Sequence, residues 1–394
     1  MRIFYLIISL NLLSVTNVFS IEVLSPQAYM VDLQTGTVLL EKNADQKMPP
    51  SSMTKIMTAY LIFERMKSGH VKPSDRLLVS KKAWKMGGSR MFVQVSSQVT
   101  IEDLLYGAIV LSGNDACVAL AEGVSESEEA FAEEMTQKAH EMGAINSNFL
   151  NASGWPNAGH VSTARDLALI AERIINNFPE EYEKYFSPES YTYNNIKQTN
   201  RNTLLHKGMA DGVKTGYTEA GGYGSVVSAI QADRRLILVV NGLPTMISRD
   251  KEAAALINWG FNYFKNYKVF NKGDLVDVAN VWGSSEKKVQ LVSGKEIILT
   301  LSHSQSQGLK IKVIYDSQIM APLKAGDQVG VIEVMIPDKG IKEFPLCVGK
   351  NIPQSGFFQR IFSSIYHFIC GQNGPIKKDI IPKLTFEKVC GEND

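Results

Sequence analysis

The chain has 394 residues, of which 44% are hydrophobic and 21% charged, with a formal net charge of +1. That length and apolar content suit a globular protein of two or three domains with a real core. The balanced charge removes any bulk electrostatic argument for nucleic acid as a partner.

The first twenty residues read as a secretory signal peptide. Arg2 precedes the apolar run from Ile3 to Leu13, and Val18-Phe19-Ser20 supplies a cleavage pattern before Ile21. Asn11 and Asn17 break the run, which is too short to span a bilayer. The expectation is an exported protein with residues 1–20 removed. The four cysteines, Cys117, Cys347, Cys370 and Cys390, show neither a disulfide framework nor metal-ligand spacing.

Ala28 to Leu33 and Thr37 to Glu41 are β-rich runs joined by Gln34-Thr35-Gly36, a hairpin signal. Pro49 and Pro50 then bring the chain in extended, and a helix begins directly after them. Met53, Ile56, Met57, Tyr60 and Leu61 recur at helical spacing, which predicts a buried helix. Ser52 and Lys55 share one face of it, three residues apart. A serine hydroxyl needs a neighbouring base to act as a nucleophile. A lysine serves as that base only if burial or another cation lowers its pKa.

Gly87-Gly88-Ser89-Arg90 forms a loop leading into Met91-Phe92-Val93. Thr100-Ile-Glu-Asp is a capping pattern ahead of the helix from Leu104 to Val110. Ser112-Gly113-Asn114-Asp115 interrupts, and a second helix runs from Ala116 to Glu122. Residues 126–142 and 164–176 are helical, separated by the Gly/Pro/Asn loop from Asn151 to His160. From Lys214 the period changes to that of strands, with Gly224 to Ile230 and Arg235 to Val240 adjacent. The helix from Lys251 to Lys265 follows, and residues 268–350 are short alternating runs that predict a small all-β domain.

Ser-x-x-Lys alone is weak, since it recurs at Ser284–Lys287 and Ser285–Lys288 in a polar turn. Two further elements stand downstream: Ser112-Gly113-Asn114 at a helix junction, and Lys214-Thr215-Gly216 at a strand start. Gly216 removes a side chain where a substrate backbone would approach.

Ser-x-x-Lys, Ser-x-Asn and Lys-Thr-Gly, in that order, resemble the signature of penicillin-binding proteins and serine β-lactamases. The surrounding Pro-Ser-Ser-Met-Thr-Lys-Ile-Met-Thr, Leu-Ser-Gly-Asn-Asp-Ala-Cys, Asn200-Arg201-Asn202 and Asp211-Gly212-Val213-Lys214 are similar to low-molecular-mass D-alanyl-D-alanine carboxypeptidases. The resemblance covers roughly residues 25–265, continues more weakly through the β domain, and includes the C-terminal helix. It implies an α+β catalytic domain, an antiparallel sheet flanked by helices, over residues 21–267. A small β domain over 268–350, a helix over 355–371 and a tail over 372–394 complete the expected order.

What the resemblance implies for chemistry follows from those matches. Ser52 would attack the carbonyl between the two terminal D-alanines of a peptidoglycan pentapeptide. Lys55 would take its proton, its pKa lowered by burial and by Lys214. Ser112 would pass a proton to the departing amine, and Asn114 would orient Lys55 and the peptide amide. Lys214, Thr215 and Arg201 would hold the terminal carboxylate. The backbone N–H groups of Ser52 and Tyr217 would form the oxyanion hole, Tyr217 standing where relatives often carry His, Thr or Ser. β-Lactams would acylate Ser52, and no metal or organic cofactor is required. The alternatives on this fold are a DD-endopeptidase, a β-lactamase (although no Glu-x-x-Leu-Asn motif is present) and a non-catalytic penicillin-binding scaffold.

The remaining candidates read as structural. His160 has no unfilled catalytic role, Asp166 opens a helix near its positive end, and His206 could flank the site through its nearness to Arg201. Near the C-terminus, Phe358, Ile361, Phe362, Ile365, Phe368 and Ile369 share one helical face, opposite Gln359, Ser363 and His367. About fifteen residues make roughly 22 Å of helix, too short to span a bilayer, so an interfacial anchor is expected. The expected location is peripheral, on the periplasmic face of the bacterial inner membrane.

Overall fold

The computed structural model describes residues 21–355, 375–381 and 384–386. The signal segment and the amphipathic stretch at 355–371 therefore lie outside the described residues, apart from Ser355.

The chain opens with the hairpin β1 (Gln27–Asp32) and β2 (Val38–Lys42), then a 3-10 turn, Ser51–Thr54, that leads into α1 (Lys55–Lys67). A helical block follows: β3 (Arg76–Leu78), α2 (Lys81–Lys85), β4 (Gln98–Thr100), α3 (Ile101–Ile109), α4 (Asn114–Val124), α5 (Glu128–Met142), α6 (Ala164–Asn177) and α7 (Pro179–Phe186). A small hairpin, β5 (Ser190–Tyr193) and β6 (Ile196–Thr199), and α8 (Thr203–His206) then deliver the chain to β7 (Gly212–Thr218), β8 (Gly222–Gln231), β9 (Arg234–Leu243) and α9 (Met246–Tyr263).

Among the described residues, the five strands of the catalytic sheet run antiparallel in the order β2-β1-β9-β8-β7. Alternation along β9 explains why both faces are covered. Ile237 and Val239 join the helical core containing Met53, Ile56 and Phe63. Leu236, Leu238 and Val240 face the opposite way, onto Leu256, Ile257 and Phe261 of α9. α1 is apolar almost all round, with Ile56, Met57, Ile62 and Phe63 at no more than 1% exposure, as befits a helix in the middle of a domain. Each such side chain stabilises the fold by roughly 1.5–3 kcal/mol.

The second domain follows, with β10 (Phe264–Phe270) as its first strand, starting four residues before position 268. It continues through β11 (Leu275–Trp282), β12 (Lys288–Ser293), β13 (Ile297–Ser302), α10 (His303–Gln307), β14 (Lys310–Asp316), β15 (Ile319–Met320), β16 (Gln328–Ile336) and β17 (Gly340–Val348). The hairpin tip between β1 and β2 braces it: Asn266 Nδ2 donates to Gln34 Oε1 at 2.7 Å, and the Thr35 and Thr300 hydroxyls are 2.5 Å apart.

The tail returns to this domain. β18 (Pro375–Ile380) adds to the edge of β14, and β19 (Thr385–Phe386) pairs with β10. Ile376 and Ile380 pack against the β-domain core, while Lys378 Nζ meets Asp277 Oδ2 at 2.7 Å. Among the described residues, no helix is long and apolar enough to cross a membrane.

Candidate active site

The site forms where the 3-10 turn, the α3–α4 junction and the sheet edge converge. β7 is the last strand of its sheet, so one side of its backbone is open to a strand-like ligand. The 3-10 turn is held against it by close backbone approach. Ser51 adopts φ +52, and Gly154, at φ +78, packs so tightly that a Cβ there would be 1.8 Å from the Ser51 carbonyl oxygen. A Cβ on Gly216 would meet Ser51 Cβ at 3.0 Å and Pro50 O at 3.1 Å. The space left by Gly216 is thus filled on that side by the turn carrying the serine, as well as opening to the cleft.

Ser52 is half-buried, and Lys55 beneath it is 0% exposed. Lys55 Nζ contacts Ser52 Oγ at 2.8 Å, Asn114 Oδ1 at 2.8 Å and Ser153 O at 2.6 Å. Three acceptors match the three protons of an ammonium. When Lys55 is neutral, two N–H bonds keep Asn114 and Ser153, and the lone pair faces the Ser52 hydroxyl. The same geometry therefore serves both protonation states.

Burial lowers the Lys55 pKa to about 8, with the Asp115 carboxylate holding it up and the Arg201 guanidinium pushing it further down. Cys117 lies nearby, but burial raises its thiol to about 12, so it is uncharged at neutral pH. Lys214, 3% exposed, is pushed well below the ordinary lysine value by its own burial, then by Lys55 and Arg201. The two buried ammonium groups repel one another, so each disfavours the charge of the other, in addition to the burial that acts on both.

Asn114 opens α4 rather than interrupting the helices, and its side chain bridges, accepting from Lys55 and donating from Nδ2 to Gly87 O at 2.9 Å. Ser112 stands just before it at φ +57, a turn conformation that brings its side chain to the cleft. Asp115, next along, is buried and accepts from the backbone N–H groups of Met91, Phe92 and Ala116 at 2.9 Å each, and from that of Val93 at 3.3 Å. It ties the Gly-rich loop to α4.

The cleft above has a volume of about 410 Å³. Ser52, Ser112, Asn114, Arg201, Thr215, Gly216 and Tyr217 line it, and Lys55 and Lys214 are buried below. All nine residues singled out in the sequence come together. Tyr217 is 53% exposed and stacks on Tyr223 at 4.2 Å between centroids.

Two lining residues had no sequence signal. Trp155 stands over Gly87 and Gly88 on the far wall. Arg249 is 3% exposed, paired with Asp250 at 2.6 Å and reaching Arg201 O at 3.5 Å. It was missed because α9 starts at Met246, five residues before the apolar stripe suggests; the Thr245–Ser248 capping box marks that start.

His160 and His206 lie outside the chemistry. His160 Nδ1 accepts from Leu150 N at 3.0 Å, leaving Nε2–H to donate to Thr54 Oγ1 at 2.8 Å. Burial and Lys55 press its pKa to about 4, so it is neutral. His206 bonds Asn200 O at 2.8 Å and does not line the cleft. Asp166, in the first turn of α6, accepts from Asn146 N and Ser147 Oγ, a loop tie that the helix pattern alone does not reveal.

A serine bonded to a buried lysine at the open edge of an antiparallel sheet defines an acyl-transferring serine hydrolase of the penicillin-recognising fold. A family model described as D-alanyl-D-alanine carboxypeptidase matches residues 14–245, and one described as penicillin-binding protein 5, C-terminal domain, matches residues 264–354. The chain belongs to the D-alanyl-D-alanine carboxypeptidase family, and it is a serine hydrolase. It is 38% identical over 345 residues to the D-alanyl-D-alanine carboxypeptidase DacC of Escherichia coli strain K12, covering 85% of this chain and 86% of that one. DacA of the same strain is 36% identical over 345 residues, with 85% of each chain covered. The structure of penicillin-binding protein 5 from Haemophilus influenzae superposes with a TM-score of 0.75 at 33% identity, over 86% of this chain and 100% of that one.

Proposed function

We propose that this serine hydrolase removes the terminal D-alanine from peptidoglycan pentapeptides through an acyl-enzyme on Ser52. The observation that carries the reading is Lys55, fully buried, with a pKa of about 8 and 2.8 Å from Ser52 Oγ. A base tuned toward neutrality beside a hydroxyl is what general-base activation requires.

In this reading the terminal carboxylate rests against Lys214, Thr215 and Arg201, with Arg249 beneath. Ser52 Oγ bonds to the scissile carbonyl carbon while its proton passes to Lys55 Nζ. The oxyanion is held by the N–H groups of Ser52 and Tyr217, and Asn114 Nδ2 orients the acyl amide. As the C–N bond breaks, the proton returns through Ser112 to the departing amine, and D-alanine leaves. Water then attacks the ester, giving its proton to Lys55, and Ser52 Oγ leaves as the hydroxyl. β-Lactams, which carry the same carboxylate and a strained amide, would stop at the ester.

The domain assignment proposed with it is a catalytic domain over 21–267 and a β domain over 268–350. We further propose export through residues 1–20 and peripheral attachment at the periplasmic face of the inner membrane through residues 355–371. The support for attachment is the aromatic face of that stretch. If deletion of residues 355–394 leaves the protein in the membrane fraction, that attachment is wrong.

The activity test is direct. The purified protein is incubated with a peptide ending in Lys-D-Ala-D-Ala, beside Ser52→Ala, and free D-alanine is quantified. Release that vanishes in the variant supports the carboxypeptidase and its nucleophile together. A penicillin adduct on Ser52 without release points to a crosslink endopeptidase or a binder; neither release nor adduct refutes the reading.

A further inference from the structure

We infer that Asn151 is a positioning residue of the acyl-transfer site, aiming the Ser153 carbonyl at Lys55. The inference rests on the acyl-transfer reading above and adds to it a residue that does not line the cleft.

Residues 150–160 lie in no helix or strand, yet they supply the third acceptor of Lys55. One side chain replaces the missing backbone ladder. Asn151 Oδ1 accepts from the N–H groups of Ser153, Gly154 and Trp155 at 3.2, 2.8 and 3.0 Å. Asn151 Nδ2 donates to Trp155 O at 2.9 Å. Three donors on one side and an acceptor on the other fix which end of the carboxamide is oxygen.

The peptide unit between Ser153 and Gly154 carries the argument. Its N–H end is held by Asn151, and its C=O end accepts from Lys55 Nζ at 2.6 Å. A peptide unit is rigid and planar, with N–H and C=O pointing opposite ways, so holding one end aims the other. Gly154, at φ +78, would otherwise let that plane turn over, since glycine accepts either sign of φ. The bond to Asn151 also polarises the peptide and strengthens its carbonyl as an acceptor. The backbone just before is tied separately. Ala152 N donates to Glu128 Oε1 at 3.1 Å, and Ala152 O accepts from Thr58 Oγ1 at 2.6 Å. Those ties keep the loop anchored when the Asn151 carboxamide is removed.

Without the carboxamide the plane turns freely, and the Lys55 ammonium keeps only Ser52 Oγ and Asn114 Oδ1. A buried ammonium that loses an acceptor is harder to charge, so the midpoint of the base falls. The other groups acting on Lys55 are Asp115 and Cys117 of α4, Arg201, Lys214 of β7 and His160. Substitution at Asn151 leaves all of them in place.

The test follows benzylpenicillin acylation of the whole protein against pH, for the wild type, Asn151→Ala and Asn151→Asp. The alanine midpoint should lie about one pH unit below that of the wild type, the effect of one hydrogen bond to a charged group. Its plateau rate should fall roughly 10-fold, because Lys55 is no longer held in line with Ser52. With a Lys-D-Ala-D-Ala peptide, kcat should fall while KM stays within about 2-fold, since the carboxylate contacts are untouched. Asn151→Asp keeps the acceptor for the three N–H groups. Its plateau should return to within about 3-fold of the wild type, with a midpoint no lower.

The midpoint decides. An alanine variant with the wild-type midpoint overturns the inference at any rate, because a merely loosened loop slows acylation without retuning the base. An aspartate variant that behaves like the alanine one overturns it too. If the alanine variant does not fold, the aspartate variant decides alone, and a midpoint below the wild type overturns the inference. If the wild type neither releases D-alanine nor takes penicillin on Ser52, the acyl-transfer reading itself fails and the inference falls with it.

Discussion

The pH dependence of acylation gives the sharpest check on the Ser52–Lys55 pair. Lys55 accepts the Ser52 proton only when neutral, and its pKa is lowered from 10.5 to about 8, first by burial. At pH 7 a lysine of pKa about 8 is about 10% neutral, against about 0.03% for an unperturbed one, an advantage of roughly 300-fold. The pseudo-first-order rate of benzylpenicillin acylation, followed by stopped-flow fluorescence, should climb about tenfold per pH unit from about pH 6 and level off above about pH 8. Arg201→Gln removes a cation that pushes Lys55 down, so the midpoint should move upward; because Arg201 is exposed, added salt should reproduce part of that movement in the wild type. A midpoint near 10, or a flat profile, would refute the role of Lys55 as base. A midpoint near 6.5 would indicate a histidine, which the hydrogen-bonded, neutral His160 does not allow.

Three further outcomes follow from the same geometry. The folded-state pKa of Lys55 lies below its unfolded value, so its charge opposes folding in full below about pH 8, and this is relieved as pH rises toward 10.5. Between about pH 7 and about pH 9.5 the wild type should gain about 2 kcal/mol on Lys55→Met in chemical denaturation, and a constant difference would contradict the burial argument. Gly154→Ala places a Cβ against the Ser51 carbonyl at a left-handed backbone position, so it should lose about 2 kcal/mol or more and slow penicillin labelling of Ser52; a wild-type Tm with normal labelling would show the contact to be unimportant. Lys378→Ala breaks a half-exposed ion pair and should lose less than about 1 kcal/mol, whereas ending the chain before Pro375 should lower the Tm of the β domain clearly more, because a whole strand leaves β14.

The catalytic helices were legible because their apolar spacing and caps agree. Thr100 accepts from Asp103 N and Thr163 from Asp166 N, at the starts their sequences announce. All nine site residues were legible for a different reason: motif context preserves residue identity even where no local pattern predicts proximity. What escaped the sequence is tertiary. The Ser153 carbonyl that completes the Lys55 shell belongs to a loop with no periodicity, and Arg249 lies in a helical turn ahead of the apolar stripe. The short hairpin of β5 and β6 carries Asn194 and Asn195 at positive φ, a turn signal diluted by polar strands. In β18, Lys378 takes the inward alternate position between Ile376 and Ile380, so the pattern lacks an apolar period of two. Its ammonium lies over the Tyr315 ring, 6.0 Å from the centroid, and meets Asp277, so a charge pair occupies a position where an apolar side chain would be expected.

The two buried lysines are not equivalent, and the difference assigns their work. Lys55 has an acceptor for every proton it can carry, so it can hold or release one without rearranging its neighbours. Among the described residues Lys214 has one protein acceptor, the Thr215 carbonyl at 3.2 Å, and its pKa is driven lower by burial and then by the cations beside it. In the free protein its charge is poorly supported by its surroundings. A carboxylate arriving at Thr215 and Arg201 supplies the missing countercharge and favours the protonated form of Lys214. The same carboxylate offsets the repulsion that a charged Lys214 would otherwise impose on protonated Lys55. Recognition of the substrate terminus and readiness of the base are therefore coupled through one electrostatic balance. That coupling gives a physical reason for the Lys-Thr-Gly strand and the Ser-x-x-Lys helix to meet in a buried place, where unpaired charge is expensive.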